Sequence, residues 1–590
     1  MATSPHAQTI QEIVRAFKEG SKLEIAPTDI VMSEHNHGDF AVACFKFARN
    51  SGRAAEAVAE ATAIAINEWL EHNANSLLQK LTIAGPYINI TLNQKKFTEL
   101  AMKAVTDAGS VYGCSNFGQG KRVVLEYVSP NTNKPLHLGH LRNAALGWSV
   151  AKLLEASGYE VIKTSIVNDR GIHIMKSMLA YKKWSELWTD KKLTHETPSR
   201  AKMKGDALVG KYYVLYKIKA DENPALEEES RELLRKWEAH DQETRTLWKK
   251  MNDWATKGHE ETLKRFGVSF DKLYFESDIY EEGRAIVEAE AAAGKAQKNS
   301  DGAISIDLTP EGLGPKILLR ADGTSVYITQ DLALARHRIN DFHPTKIVYV
   351  VAQEQDYQFR ALFAVLKRFG IAQDIELKHL SYHWVFLPEG RMKSREGKVV
   401  EADDLLDELS ELALKEIKTR HAKISQTVAK KRAEIIALAA AKYYLLKSRL
   451  DSDINFDPKQ SIALTGRTGP YLLYTYARVS SIFNKAKEEK IELGTEMTLP
   501  VNVSLLEWQI IKLAAKLPAV IEEAAAAYDP SIIADFGYNL AKTINDFYEA
   551  EPVLKAEPNV RAWRLELLQA AQLVLKRSLE LMGIEGLEEM

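Results

Sequence analysis

Ser129-Pro130-Asn131-Thr132-Asn133-Lys134-Pro135-Leu136-His137-Leu138-Gly139-His140 decides how this chain of 590 residues is read. The stretch follows the apolar run Val123-Val124-Leu125 and opens a helical pattern, Leu141 to Ala156, closed by Gly158. Two histidines therefore flank Gly139 at a strand-to-helix junction. A helix N-terminus offers unpaired backbone N–H groups and a partial positive charge, which suit phosphate. Two imidazoles there can hydrogen-bond a triphosphate as charge moves onto it.

The rest of the chain bounds the context. Its length exceeds one hydrophobic core, which implies three or four domains. The apolar (45%) and charged (27%) fractions are those of a globular protein, and the net charge is −2. Such a balance excludes a whole-surface polyanion binder, so any RNA contact needs basic residues gathered on one side. Cys44 and Cys114 make neither a disulfide framework nor a metal cluster, which suits a reducing compartment. The opening MATSPHAQTI lacks a basic-then-apolar arrangement, and no apolar run reaches membrane-span length. A cytoplasmic protein is expected, with a monomer as the default.

Patterning divides the chain into three. Residues 1–117 read as a small α/β module, with His37-Gly38-Asp39-Phe40, an alanine-rich helix from Ala54 to Leu70 and the strand-like Gly85 to Ile90. Residues 118–402 alternate strands (Val123–Tyr127, Val161–Val167, Lys346–Val351, His379–Leu387) with amphipathic helices. That alternation predicts a Rossmann-like parallel sheet. It is interrupted at about 180–300 by a polar insertion containing Gly205-Asp206, Gly210-Lys211-Tyr212-Tyr213, Phe270-Asp271 and Glu276-Ser277. Residues 403–590 carry apolar residues at helical spacing to the end. The fold class is thus α/β multidomain, with a parallel-sheet core and an all-α C-terminal bundle.

The SPNTNKPLHLGHLRN string resembles the first signature of class I aminoacyl-tRNA synthetases, in its arginyl-tRNA synthetase version. The resemblance extends over essentially the full length. It implies an arginine--tRNA ligase that makes arginyl-adenylate from ATP and L-arginine and then arginylates tRNA(Arg). Mg²⁺ is implied only as a companion of ATP. Asn133, His137, Gly139, His140, Asn168, Asp169 and Gly171 would face the nucleotide, together with Met392 and Ser394. Glu126, Tyr327 and Asp331 would hold the guanidinium, with Asn131 and Gln355 at the α-amino and carboxylate groups. Selection of arginine needs carboxylates placed for its planar five-donor fork. The N-terminal module would contact the tRNA elbow. The helical region would read the anticodon through Tyr471, Tyr474 and the terminal Met590, since exposed aromatic rings give bases a stacking surface.

The second signature departs from the family pattern. Arg391-Met392-Lys393-Ser394-Arg395-Glu396-Gly397 resembles the KMSKS loop, but Ser394 takes the slot of the usual second lysine. Lys134, three residues before His137, is the expected replacement, with Lys393 and Arg395 as rivals. His137, His140, Lys134, Lys393 and Arg395 are therefore the expected catalytic set. No metal-ligand cluster is apparent, and His173, His337 and His343 stand isolated. Two alternatives remain open: a class I synthetase for another amino acid, and a paralogue that binds tRNA without catalysis. Acidic Glu126 and Asp331 argue against glutamate as substrate, and the absence of a thiol-binding cluster argues against cysteine.

Overall fold

The computed structural model describes residues 4–33, 38–189, 192–388, 400–421, 423–491, 500 and 503–590. Its centre is a parallel five-stranded sheet of β1 (Arg122–Glu126), β2 (Glu160–Val167), β3 (Lys272–Phe275), β4 (Lys346–Ala352) and β5 (Glu376–Tyr382). The spatial order is β5-β4-β1-β2-β3. Strand order reverses between β1 and β4, and such a reversal opens a crevice at the carboxyl ends of the strands. Val123, Val124 and Leu125 of β1 are fully buried, because both faces of a parallel sheet are covered.

Helix α1 (Leu138–Ala156) starts in that crevice. It is apolar nearly all round and packs on the sheet and also on the C-terminal helices. The Ser149 hydroxyl donates to the Leu581 carbonyl at 2.8 Å across this contact. The helix that carries the two histidines is therefore braced from both sides.

Two strands differ from the sequence reading. β3 lies inside the stretch read as insertion. It pairs with β2 from Thr164↔Lys272 to Val167↔Phe275. Four residues are too few for periodicity to separate from a loop. The expected strand His379–Leu387 is two elements. β5 ends at Tyr382, and Val385–Phe386 pairs instead with Ile454–Asn455. The insertion packs as α2 (Gly205–Glu222), Ala225–Glu238 and α3 (Gln242–Arg265). After β3 come α4 (Glu276–Ala292), a three-stranded antiparallel sheet and α5 (Tyr327–Phe342).

The N-terminal unit is a four-stranded antiparallel sheet with helices Pro5–Ala16, Ala55–Glu71 and Gln94–Ala108. His37 lies outside the described residues, but its neighbour Asp39 is informative. Buried Asp39 accepts from Leu92 N at 2.9 Å, Trp508 Nε1 at 2.7 Å and Lys512 Nζ at 2.9 Å. Trp508 and Lys512 belong to the C-terminal helix Leu505–Ala527, so this carboxylate clasps the two ends of the chain together. Removing one partner of a buried ion pair costs about 3 kcal/mol or more. Asp39→Ala should therefore speed hydrogen exchange at the Ile88–Leu92 amides by about a hundredfold. Asp107→Ala, which breaks the exposed pair with Lys103, should change it little. Equal exchange in both variants would deny the clasp any energetic role.

Candidate active site

The phosphate end of the crevice is built by α1. Its N-cap is His137, whose Nδ1 accepts from Gly139 N at 3.2 Å, while His140 Nδ1 accepts from His137 N at 3.1 Å. The ring centroids are 3.9 Å apart. A neutral imidazole that accepts at Nδ1 carries its proton on Nε2. Burial, and then Lys134, lower His137 to about 4; burial and neighbouring cationic groups hold His140 well below its ordinary value. Near neutral pH both rings are uncharged and have Nε2–H left to donate. A Cβ at Gly139 would come within 3.1 Å of the His137 ring, so glycine lets that ring fold over the helix start.

The chain on either side is stitched to this helix start. Leu138 N donates to Val400 O at 3.2 Å, and Ala402 N to Leu136 O at 2.8 Å. The basic stretch with Met392, Lys393, Ser394 and Arg395 lies outside the described residues. Asn168 grips the opposite loop: its N–H donates to Pro130 O at 3.0 Å and its side-chain amide to Ser129 O at 3.2 Å. Asn131 forms a bridge with Asn168 and is exposed. Val128, a β-branched residue at φ 54°, is strained. Asn143 holds it, accepting from Val128 N at 2.7 Å and donating to Val350 O at 2.7 Å. One amide thus ties the exit of β1 to β4.

Asn133 is buried, and among the described residues its Oδ1 has no partner. Lys134 is half-buried and has no carboxylate partner among the described residues; burial and then Lys217 lower its pKa. Asp169 faces elsewhere. Its carboxylate accepts from Ser277 N at 2.9 Å and Ser277 Oγ at 2.7 Å, capping α4, and burial raises it to about 6. Gly171, at φ 107°, caps helix Ile172–Trp184.

The other end of the crevice is acidic. Glu126, at the end of β1, is buried against Arg338 of α5, itself fully buried and flanked by the rings of Tyr274 and Tyr349. Asp331 lies two turns earlier on the same helix. Burial, and then Glu126, raise it to about 7. Glu276, first residue of α4, is likewise raised to about 7 by burial, although Arg170 lies 3.9 Å away. At Asp331 the effect of Glu126 exceeds that of Arg338, while at Glu276 Arg170 opposes the effect of burial. Tyr327 is 81% exposed at the start of α5, at the mouth rather than the floor. Gln355 is exposed just after β4, before helix Asp356–Arg368. Among the described residues no group of three His, Cys, Asp or Glu side chains could hold a metal ion.

A second cleft lies in the helical region. A cavity of about 830 Å³ brings Tyr474 and Met590 together with Arg478, Lys485 and Tyr548. The Arg478 guanidinium lies 4.7 Å from both the Tyr474 and Tyr548 ring centres. Tyr471 points elsewhere, its ring 5.7 Å from that of Tyr538.

A parallel sheet with its reversal at β1 and β4, and an HxGH helix start in the crevice, define a class I aminoacyl-tRNA synthetase core. Comparison with known proteins agrees. The family model described as tRNA synthetases class I (R), catalytic domain matches residues 104–457. The DALR anticodon binding domain matches 472–590, and the arginyl tRNA synthetase N terminal domain matches 7–92. The arginine--tRNA ligase of Treponema pallidum is 40% identical over 563 residues, with 94% of each chain covered. That of Borrelia hermsii is 38% identical over 601 residues, covering 99% of this chain and 98% of its own. Among solved structures, the arginyl-tRNA synthetase of Thermus thermophilus superposes with a TM-score of 0.77 at 23% identity, covering 99% of each chain. The chain belongs to the arginyl-tRNA synthetase family of class I.

Arg338 and Arg170 were not singled out in the sequence, and Glu276 only as part of the insertion. An arginine inside a helix reads as a solvated charge, and only the structure turns Arg338 onto Glu126. The raised Asp331 and Glu276 carry a pH prediction. A guanidinium stays charged at any working pH and favours the ionised carboxylate. Below about 7 its binding must release the proton that Asp331 retains. Arginine affinity should therefore fall as pH drops from about 8 to 6, by up to about tenfold per unit for one proton. Titration calorimetry in two buffers of different ionisation enthalpy would reveal the proton. A flat profile without proton release would show that both carboxyls are already ionised.

Proposed function

We propose that this chain is an arginine--tRNA ligase whose acidic floor takes the guanidinium and whose α1 N-terminus takes the ATP phosphates. The cluster of buried carboxyls formed by Glu126, Asp331 and Glu276 carries this reading. It favours a cationic side chain, and the neighbouring helix start favours an anion. In the reaction, the arginine carboxylate attacks the α-phosphorus in line and pyrophosphate leaves. The terminal ribose hydroxyl of tRNA(Arg) then takes the arginyl group, and AMP departs. Neither step needs a protein nucleophile. Both need positioning and donors aimed at the developing charge. His137 and His140 would give those donors through Nε2–H, and Lys134 a cation at the same phosphates. Mg²⁺ would arrive with ATP, held by phosphates and water. Asn131 and Gln355 would meet the amino-acid end, and Tyr327 would close over the bound side chain. The groove with Tyr474, Arg478, Tyr548 and Met590 would receive bases of the tRNA, and the chain would act in the cytoplasm as a monomer.

The decisive test separates the two ends. Asp331→Asn should weaken arginine binding at least about a hundredfold, since it leaves a charged partner uncompensated, while ATP binding stays near wild type. Equal loss of both ligands would place Asp331 in a structural role. ATP–pyrophosphate exchange with each amino acid, with and without tRNA, would identify the substrate. Lys134→Ala should lower the arginylation rate by about a hundredfold, as loss of one well-placed transition-state contact does. Near-normal Lys134→Ala beside inactive Lys393→Ala or Arg395→Ala would assign the charge to the basic stretch instead.

A further inference from the structure

Helix α3 of the insertion presents one face to both loops of the phosphate end. Trp248, Asn252, His259 and Thr262 recur on it at helical spacing. Trp248 Nε1 donates to the Asp169 carbonyl at 2.6 Å, and the Asn252 amide donates to the same carbonyl at 3.2 Å. The Thr132 hydroxyl donates to Asn252 Oδ1. His259 Nε2 lies 2.9 Å from the Lys134 carbonyl oxygen. The Thr262 hydroxyl donates to Asp403 at 3.0 Å, in the first turn of helix Ala402–Arg420.

His259 is 3% exposed, and among the described residues its Nδ1 has no hydrogen-bond partner. A carbonyl can only accept, so Nε2 bears the proton and donates it. Burial lowers the imidazole pKa, opposed by the nearby Asp206. A leucine would fill an interior helix position without burying a polar atom that finds no partner. The hydrogen bond to Lys134 is therefore the visible reason for a histidine at this place.

That bond acts where the chain is already restrained. Pro135 fixes its own φ and confines the preceding residue to extended conformations. Its ring packs against Gly210 of α2, where a Cβ would come within 2.7 Å. With Pro135 seated and the Lys134 carbonyl held, the Cα–Cβ direction of Lys134 is set. Only its side-chain torsions remain free.

The geometry points to His259 as a positioning residue that, by holding the Lys134 carbonyl, aims the Lys134 ammonium at the triphosphate. This rests on the reading of Lys134 as a phosphate-binding cation. It gives the insertion a part in the chemistry without touching substrate.

The test is a double-mutant cycle on the full chain, scored by arginylation with ATP and arginine each varied in turn while the other substrates are saturating. His259→Leu should lower kcat by about tenfold or more, as expected for a misaimed transition-state contact, and leave the KM for arginine within about twofold. His259→Gln places an amide N–H near the former Nε2 and should stay within about threefold of wild type. In a Lys134→Ala background His259→Leu should add less than about twofold, because residues acting as one unit are not additive. If His259→Leu does not fold, His259→Asn, polar but too short for the carbonyl, replaces it in the cycle. Multiplicative losses in the double variant, or a glutamine variant as impaired as leucine, would overturn the positioning role and leave the Lys134 reading intact. A Lys134→Ala chain of near-normal rate would overturn both.

Discussion

The cleft is organised around one buried guanidinium, that of Arg338, and the carboxylates gathered about it. Fully enclosed, Arg338 cannot be solvated, so it must be paired. Glu126 at the end of β1 supplies the pair and thereby fastens α5 to the sheet at the switch point. Asp331 and Glu276 lie beside this pair in desolvated surroundings. Burial is the main cause of their raised pKa values, with Glu126 adding to it at Asp331 and Arg170 opposing it at Glu276. On the proposed reading, a cationic substrate would compensate the buried carboxyls beside this ion pair. The same arrangement would repel an acidic side chain and so separate arginine from glutamate without any clash of shape.

The opposite end of the cleft has the reverse character, with two neutral imidazole donors beside the Lys134 cation. His137 and His140 each use Nδ1 on a backbone N–H of α1, so their Nε2–H donors are set by the helix itself. Neutral donors at a helix N-terminus suit a transition state that moves negative charge among phosphate oxygens, because they need little reorganisation as the charge moves. The bracing of α1 by the C-terminal helices explains how such an arrangement stays fixed. Helix α1 cannot shift toward the ligand without disturbing contacts such as Ser149 with Leu581.

How much of this could be read from the chain depended on the range of each interaction. The strand, turn and helix start around His137 and His140 lie within about one motif, and local spacing suffices for them. The parallel alternation of strands was equally plain, except for β3, whose four residues carry no period, and for the end of β5, where Val385–Phe386 leaves the sheet for Ile454–Asn455. Glu126 and Asp331 could be singled out, but not Arg338, which meets Glu126 from 212 positions away. An Asn-Asp-Arg-Gly sequence at a strand end shows that a turn forms. It does not show that Asp169 faces Ser277 while Asn168 grips the loop beside it. The Gly38-Asp39 pair is legible only as part of the N-terminal module, and the reach of Asp39 to Trp508 and Lys512 exists only in three dimensions.

The insertion shows why composition misleads here. Its helices are lysine- and glutamate-rich, and most of those charges pair at the surface, as Arg235 does with Glu228 and Glu232. Polar residues on the inner face of α3 do something else. They bond in turn to the loop after β2, the loop before α1 and the helix that follows the basic stretch. A helix is stiff over this distance, and each of those bonds leaves it through a single side chain. The three segments bond to one another, as Asn168 does to Pro130 and Ala402 to Leu136, and are held in register by this one rigid element as well. A displacement of α3 would strain its bonds to the Asp169 and Lys134 carbonyls and to Asp403 together.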